Sequence, residues 1–390
     1  MRWLILVVLF VGALTFTRSA AAYPWMIRHG QKTCNSCHLD PSGAGLLTSF
    51  GRDQGDGILR TQFGLPKDDH TIGGFLFGLV KEPEGFLFGA SVRNATLFMK
   101  PEGRRASVRS ILMQADLRAG LDFERIKAAV SFGVIPMGGQ LAAIIPDKGL
   151  VLASREHWLG VTFGGDFLLR AGRMHLPYGI RNNEHTMWIR SATRSDINVS
   201  QQHGLALSYS TKAMRGELMA IAGNYQLPPD IYRERGYSGY FEYFVEKKAS
   251  VGVSSLITHA GGDLYASVRS PFTRQAHGVF SRYALAKSTV LLAQMDLLVA
   301  KRTGVDTKLG YDGMLQVDVE PVQGVHFAPA LEILKSPGST SGASLGGWIS
   351  AIWFFAPHLD FRLDGIYRST DTPVGRVGNL TALAQIHAYL

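Results

Sequence analysis

Strict alternation of apolar and polar residues constrains this chain more than any other feature of its sequence. From about Glu84 to the C-terminus, segments of roughly ten residues alternate in this way, and short turns rich in Gly, Asp, Asn or Lys separate them. Residues 307–320 are one example: one face carries Leu309, Tyr311, Leu315, Val317 and Val319, and the other carries Lys308, Asp312, Gln316, Asp318 and Glu320. A period of two predicts strands with one apolar and one polar face, so we expect an all-β fold.

The number and spacing of these segments favour a membrane barrel. About 16 strands are expected, and single-chain bacterial barrels use an even number. Short and long connections alternate along the chain, as turns and external loops do in such barrels. Only closed barrels satisfy the backbone of strands in lipid. We therefore predict that residues 81–390 form a transmembrane antiparallel up-and-down β-barrel in outer-membrane lipid. A soluble β-sandwich, within a periplasmic cytochrome, is the alternative.

Two further features agree with a barrel. Aromatic residues near the ends of the predicted strands suit the girdles at the two membrane interfaces; they are Phe86, Phe98, Trp158, Tyr240, Phe244, Trp348, Trp353 and Tyr367. The C-terminal TALAQIHAYL alternates and resembles the closing strand of bacterial outer-membrane proteins. That strand usually ends in an aromatic residue, whereas here the aromatic Tyr389 is penultimate.

The N-terminus predicts export. Residues 1–22 contain Arg2, an apolar run from Trp3 to Phe16 and the small residues Ala20–Ala22, which together indicate a signal peptide cleaved after Ala22. The alternative is a membrane anchor, but an apolar run of about 14 residues is short of the roughly 20 needed to span a bilayer. Residues 23–80 lack the alternation and are expected to form a small irregular domain.

That domain holds the chain's two cysteines, Cys34 and Cys37, and His38 follows directly. Cys-x-x-Cys-His is the attachment signature of c-type haem, in which both thiols bond to the porphyrin and the histidine ligates iron. A zinc site would need four ligands, a thioredoxin-like pair would need a βαβ context, and a disulfide would not explain His38. We expect one covalently bound haem c.

The surrounding YPWMIRHGQKTCNSCHLDPSGAGLLTSFGR resembles the haem-binding region of c-type cytochromes over about 30 residues. The resemblance implies that Cys34 and Cys37 attach the haem and that His38 is an axial ligand. His29 is the first candidate for the second axial ligand, and Met26 is the next. His70, His175 and His185 are more distant alternatives. An open position would allow ligand binding or peroxidase-like chemistry instead.

The combination of haem and barrel resembles the porin–cytochrome electron conduits of Gram-negative bacteria. It implies electron transfer at or across the outer membrane rather than enzymatic catalysis, with the haem domain in the periplasm or the barrel lumen. One haem cannot bridge an apolar band about 25 Å tall, so a periplasmic or extracellular redox partner, such as a cytochrome, is expected. Trimeric porins share this strand number, so a homo-oligomer can form. The formal net charge is +9, but the positive charges are scattered, and nucleic-acid binding is not predicted.

The alternative function is a diffusion porin for small solutes, anions among them, in which the haem domain is a plug, a sensor or a docking point. Its selectivity would depend on charged side chains that face the lumen; the candidates are Asp116, Arg118, Asp312, Arg362 and Asp364. The segment from His175 to Val199 is too long for a turn and carries Arg181, Arg190 and Arg194. It is either an external loop or a loop folded into the pore, where its arginines would favour anions or hold haem propionates.

Overall fold

The N-terminal segment has little regular structure in the computed structural model, which describes residues 23–62, 74–136, 150–182, 184, 186–246, 248–373 and 375–390. The predicted signal peptide and His70 and His185 lie outside these residues. The short elements are the 3-10 helices Pro24–His29, Cys34–Ser36 and Phe75–Gly78, the strands β1 (His38–Asp40) and β2 (Ala44–Leu47), the α-helix Ser49–Gln54 and the π-helical turn Gly55–Leu59. No helix among the described residues is long and apolar enough to span a membrane.

From Phe86 onward, the described residues form a closed antiparallel barrel of sixteen strands, two of which are each interrupted once. The last strand, Gly375–Tyr389, pairs with the first, Phe86–Pro101, and closes the barrel, as predicted for the C-terminal strand. The barrel segments are β3 (Phe86–Pro101), β4 (Ser107–Asp122), β5 (Ile126–Pro136), β6 (Leu150–Ala153), β7 (His157–Phe163), β8 (Phe167–Met174), β9 (Gln202–Ser210), β10 (Met214–Gly223), β11 (Arg235–Val245), β12 (Ala249–Ala260), β13 (Phe272–Ala286), β14 (Thr289–Arg302), β15 (Lys308–Val322), β16 (Val325–Phe327), β17 (Ala330–Lys335), β18 (Ser344–Ala356), β19 (Leu359–Thr372) and β20 (Gly375–Tyr389).

The pairing partners show which two segments belong to each interrupted strand. β6 and β7 both pair with β5, so they form one strand of the barrel with a break at 154–156. β16 and β17 both pair with β15 and with β18, so they form another. The eighteen segments therefore form sixteen strands. This is an even number and agrees with the count of about 16 expected from the alternation.

The apolar faces point outward. In β15, Leu309 is 61% exposed and Leu315 is 45% exposed, whereas Asp312 and Gln316 are buried inside the barrel. This is the arrangement of a lipid-facing barrel and the opposite of a soluble β-sandwich, which would bury its apolar faces. The sandwich alternative is therefore wrong.

The predicted aromatic girdle is confirmed only in part. Phe86, Trp353 and Tyr367 are exposed on the outer face. Trp158, Tyr240, Phe244 and Trp348 instead lie buried on the lumen side. They lie on the inward face of their strands together with polar residues. They pack against the segments that fill the lumen, so they belong to an internal core rather than to a membrane girdle.

The two ends of the barrel differ. At one end the connections, such as 123–125 and 287–288, are two or three residues long. At the other end most are longer, and one runs from residue 175 to 201. Short turns lie on the periplasmic side of such barrels and longer loops on the outside. The end with the short connections is therefore the periplasmic end, and the end with the long connections faces the outside.

Residues 23–62 lie inside the barrel and form a plug. Trp25, Ile27 and Leu59 pack in one buried apolar cluster with the inward-facing Leu292 and Phe354. Buried ion pairs add to this: Arg28 lies 2.6 Å from Asp318, and Arg170 of β8 lies 3.1 Å from Asp40. The segment after β8 folds into the lumen as well, and it meets the plug where His175 Nδ1 lies 3.2 Å from Asp40.

Candidate functional site

The Cys-x-x-Cys-His residues form a tight turn within the plug. The backbone N–H of Cys37 donates to the carbonyl of Cys34, which closes the 3-10 turn Cys34–Ser36, and β1 begins at His38. The carbonyl of Cys37 accepts the N–H of Thr48 at 3.0 Å. Thr48 also caps the following helix, because its hydroxyl accepts the N–H of Gly51. A side chain at Gly51 would collide with the Cys37 carbonyl, so glycine is needed for this close approach.

Both cysteines and His38 line one cavity of about 60 Å³. The thiols are free and partly exposed. Met26 reaches the same cavity from the helix Pro24–His29. The remaining lining residues are Tyr23, Gln31, Lys32, Thr33, Gly51, Gln54, Leu59 and Arg282.

His38 is prepared to act as a neutral ligand. Its ring is buried, and Nδ1 has no hydrogen-bond partner among the described residues. Burial lowers the pKa of His38 to about 4, and the nearby Arg118 and Arg181 act in the same direction. The imidazole is therefore neutral near pH 7 and keeps a lone pair for a metal ion. Burial also raises the pKa of Cys37 to about 12, so this thiol is protonated.

The donor set fits haem c. Two thiols for attachment, an imidazole whose Nδ1 has no hydrogen-bond partner among the described residues, and a thioether line a single cavity. The space is smaller than typical cofactor sites, which measure roughly 300–1,000 Å³. Seating a porphyrin would therefore require the residues that line the cavity to move apart.

The barrel wall holds the cysteine turn through charged residues that sequence reasoning missed. Arg215 of β10 places Nη1 2.6 Å from Cys34 Sγ. Arg282 of β13 donates to the carbonyl of Lys32 at 3.0 Å. Glu242 of β11 bridges both arginines, at 2.6 Å each. These residues are separated from the cysteines by about half the chain, so no local pattern could have identified them.

The other predicted ligands are placed differently. His29 Nε2 lies 3.2 Å from Glu320 Oε2, and this side chain is not among those that line the cysteine cavity. His175 contacts Asp40, as described above. Of the histidines and methionines weighed for the second axial position and placed by the structure, Met26 is the one on the cavity.

The arginines of the segment His175–Val199 bind protein groups inside the barrel. Arg181 donates to the hydroxyl of Ser42 at 2.5 Å, and Arg190 donates to the carbonyl of Asn182 at 2.7 Å. Arg194 pairs with Asp263 at 2.9 Å. The segment is thus folded into the lumen, and its arginines link it to the plug, to itself and to the loops.

The predicted lumen residues do face inward. Asp116, Arg118, Asp312, Arg362 and Asp364 are all buried. Arg362 lies 2.7 Å from Asp364 and also pairs with Glu184 of the inward segment. Such pairs connect the wall to the material that fills the lumen.

Comparison with known proteins identifies the fold. No family model and no curated protein matches the chain. The barrel is similar to the trimer form of OmpT from Vibrio cholerae (TM-score 0.56, 10% identity, 78% of this chain and 99% of that chain). It is similar to an anion-selective porin from Comamonas acidovorans (TM-score 0.58, 11% identity, 78% and 99%). It is also similar to the outer-membrane channel DcaP of Acinetobacter baumannii (TM-score 0.54, 11% identity, 80% and 99%). With its apolar outer face, the chain is therefore an outer-membrane β-barrel of porin-like fold.

Proposed function

We propose that this chain is an electron-transfer protein that carries one covalent haem c at the periplasmic end of a plugged outer-membrane barrel. One observation carries the proposal: Cys34, Cys37, His38 and Met26 line a single cavity in the lumen. When bound, the haem would supply reversible one-electron chemistry. The chain's own part is to attach it through Cys34 and Cys37, to ligate iron through His38 and to keep the site within the barrel.

The position of the cavity supports a role at the periplasmic face. Lys32, which lines the cavity, places Nζ 3.5 Å from the carbonyl of Lys212 in a short turn. Arg28 likewise donates to the carbonyl of Ser288 in another short turn, at 3.3 Å. A haem at this level would lie near periplasmic partners and far from the outer loops. A redox partner, such as a cytochrome, is therefore part of the proposal.

Covalent attachment is the first test. The double variant Cys34→Ala, Cys37→Ala should lose all haem that survives denaturing gel electrophoresis, because both thioether bonds are removed. Ser36→Ala, between the two cysteines, is the matched control and should keep its haem. Both variants should fold, since the barrel closes without the cysteines. Haem staining of the double variant, or none of the wild type expressed with a haem-maturation system, would disprove the proposal.

A diffusion porin is the second candidate function, and the fold comparison by itself favours it over electron transfer. The similar structures include an anion-selective porin and an outer-membrane channel. Against it, the plug and the segment 175–199 lie in the lumen. Conductance of the purified protein in planar bilayers separates the two. A steady, open, anion-preferring current would support the porin, and little current together with reversible haem reduction would support electron transfer.

We include a homo-oligomer in the proposal, by analogy with the trimer form of OmpT. Light scattering of the protein in detergent measures this directly. A monomer would remove this element and leave the electron-transfer proposal unaffected.

A further inference from the structure

Two histidines meet on the outer face of the barrel, away from the cysteine cavity. His157 begins β7 and His203 lies at the start of β9, on either side of β8. Both stand opposite the same residue of β8, Arg173. Alternation directs them outward, because Leu159 and Leu205, two residues further along each strand, are 58% and 55% exposed. Both imidazoles are half-buried and therefore accessible.

The middle strand leaves room for the two rings to touch. Gly172 has a φ of +138°, and Arg173 turns into the barrel, where its guanidinium bonds to Asn224. No large side chain of β8 therefore separates the imidazoles. Their Nε2 atoms are 3.2 Å apart.

The hydrogen bonds to the other ring nitrogens orient both rings. Ser154 donates its hydroxyl hydrogen to the carbonyl of Glu156, so its oxygen can only accept from His157 Nδ1–H. The Nε2 of neutral His157 is consequently a lone pair. The Nδ1 of His203 lies 3.2 Å from the carbonyl of Gly223, which accepts a hydrogen, and 3.2 Å from the N–H of Tyr225, which donates one.

His203 can therefore adopt either tautomer. With hydrogen on Nε2, it shares that proton with His157. With hydrogen on Nδ1, bonded to Gly223, the lone pairs of the two Nε2 atoms lie 3.2 Å apart, and a cation bound by both atoms removes their repulsion. In a metal-bound histidine, one ring nitrogen binds the metal and the other usually donates its N–H to an oxygen acceptor such as a backbone carbonyl.

The separation of the nitrogens fits a metal ion. Two Nε2 atoms 3.2 Å apart, each about 2.0–2.1 Å from a common ion, subtend an angle of roughly 100°. That angle is close to tetrahedral and suits zinc, and it is within reach of tetragonal copper. Both ligands are neutral imidazole nitrogens, so hard oxygen-seeking ions such as Ca²⁺ and Mg²⁺ are disfavoured.

We propose that His157 and His203 form a binding site for one divalent ion of the zinc or copper class on the outer face of the barrel. The ion takes the place of the proton shared by the two Nε2 atoms, this proton moves to Nδ1 of His203, where the carbonyl of Gly223 accepts it, and water completes the coordination. The site is separate from the cysteine cavity and does not depend on the haem.

The test is a titration of the full-length protein in detergent with ZnCl₂, by calorimetry. The protein is prepared without a histidine tag and treated with a chelator beforehand. We expect one Zn²⁺ per chain with no net release of protons, read from buffers of different ionisation enthalpy, because each neutral ring keeps one N–H when its Nε2 binds the ion. His157→Gln and His203→Gln should each weaken binding by at least about tenfold, since each removes a ligand.

His277→Gln is the matched control. His277 also lies on a barrel strand and is half-buried, but its ring nitrogens bond to Ser255 and Gln275. This variant should bind Zn²⁺ like the wild type. Copper added to the wild type should give an electron paramagnetic resonance spectrum with coupling to two nitrogens. The proposal is wrong if no saturable binding of one ion per chain occurs, if both single variants bind normally, or if the copper spectrum lacks that coupling.

Discussion

Met26 and His29 lie on the same 3-10 helix, three positions apart, yet only Met26 is among the residues that line the cysteine cavity. His29 faces the wall of the barrel, where Glu320 accepts its hydrogen bond. From the sequence both were candidates, and His29 was placed before Met26. The direction of a side chain in a short, irregular helix depends on its tertiary contacts, which the sequence does not reveal.

We predict that Met26 is the second axial ligand of the proposed haem. Met26→Leu keeps the volume of the side chain but removes the sulfur atom. It should abolish the sulfur-to-iron charge-transfer absorption of the oxidised protein and lower the haem potential, because methionine ligation raises it. Absorption spectra and a redox titration measure both effects.

His29→Gln is the control for that experiment and should leave both the spectrum and the potential unchanged. The opposite result, in which His29→Gln alters the spectrum and Met26→Leu does not, would restore His29 as the ligand.

At the level of strands, the alternation predicted about as many strands as the barrel has, but some aromatic side chains were misplaced. It identified the faces of β15 correctly, with Leu315 outside and Gln316 inside. The prediction of an aromatic girdle failed for Trp348, which was expected in the membrane interface but lies in the lumen, where its indole N–H donates to Glu332 at 2.9 Å. Aromatic residues fit either environment, and only the parity of their strand decides between them.

The faces of β15 give a prediction about stability. Leu315 lies at mid-strand and faces lipid, so Leu315→Arg should destabilise the barrel by about 2–4 kcal/mol. Gln316→Arg should cost much less, because Asp312 and Asp318 lie on the same inner face and can pair with the new cation. Unfolding in urea with lipid vesicles present measures both free energies. Equal losses would argue against a lipid-facing outer surface.

At the scale of the molecule, the lumen is filled from both ends. The plug enters from the periplasmic side, the segment 175–199 folds in from the other, and Asp40, Ser42, His175 and Arg181 lie where they meet. The sequence predicted an irregular N-terminal region but left open whether it lies in the periplasm or the lumen. The contacts that decide this join residues more than 100 positions apart, and a local sequence pattern cannot predict such contacts.

The last prediction concerns the attachment of the plug to the barrel. Arg28 pairs with Asp318 of β15, and Arg282 of β13 donates to the carbonyls of Pro24 and Lys32. Removing one partner of a buried ion pair costs about 3–5 kcal/mol, because the other charge stays buried. The double variant Arg28→Ala, Arg282→Ala should therefore release the first part of the plug. In planar bilayers its conductance should rise well above that of the wild type, and residues 23–62 should become sensitive to protease while the barrel keeps its heat-dependent gel mobility. Arg376→Ala is the control, since Arg376 is half-exposed and lies 3.8 Å from Asp371 at the other end of the barrel. If the double variant stays closed and protease-resistant, the apolar cluster around Trp25 holds the plug without these arginines.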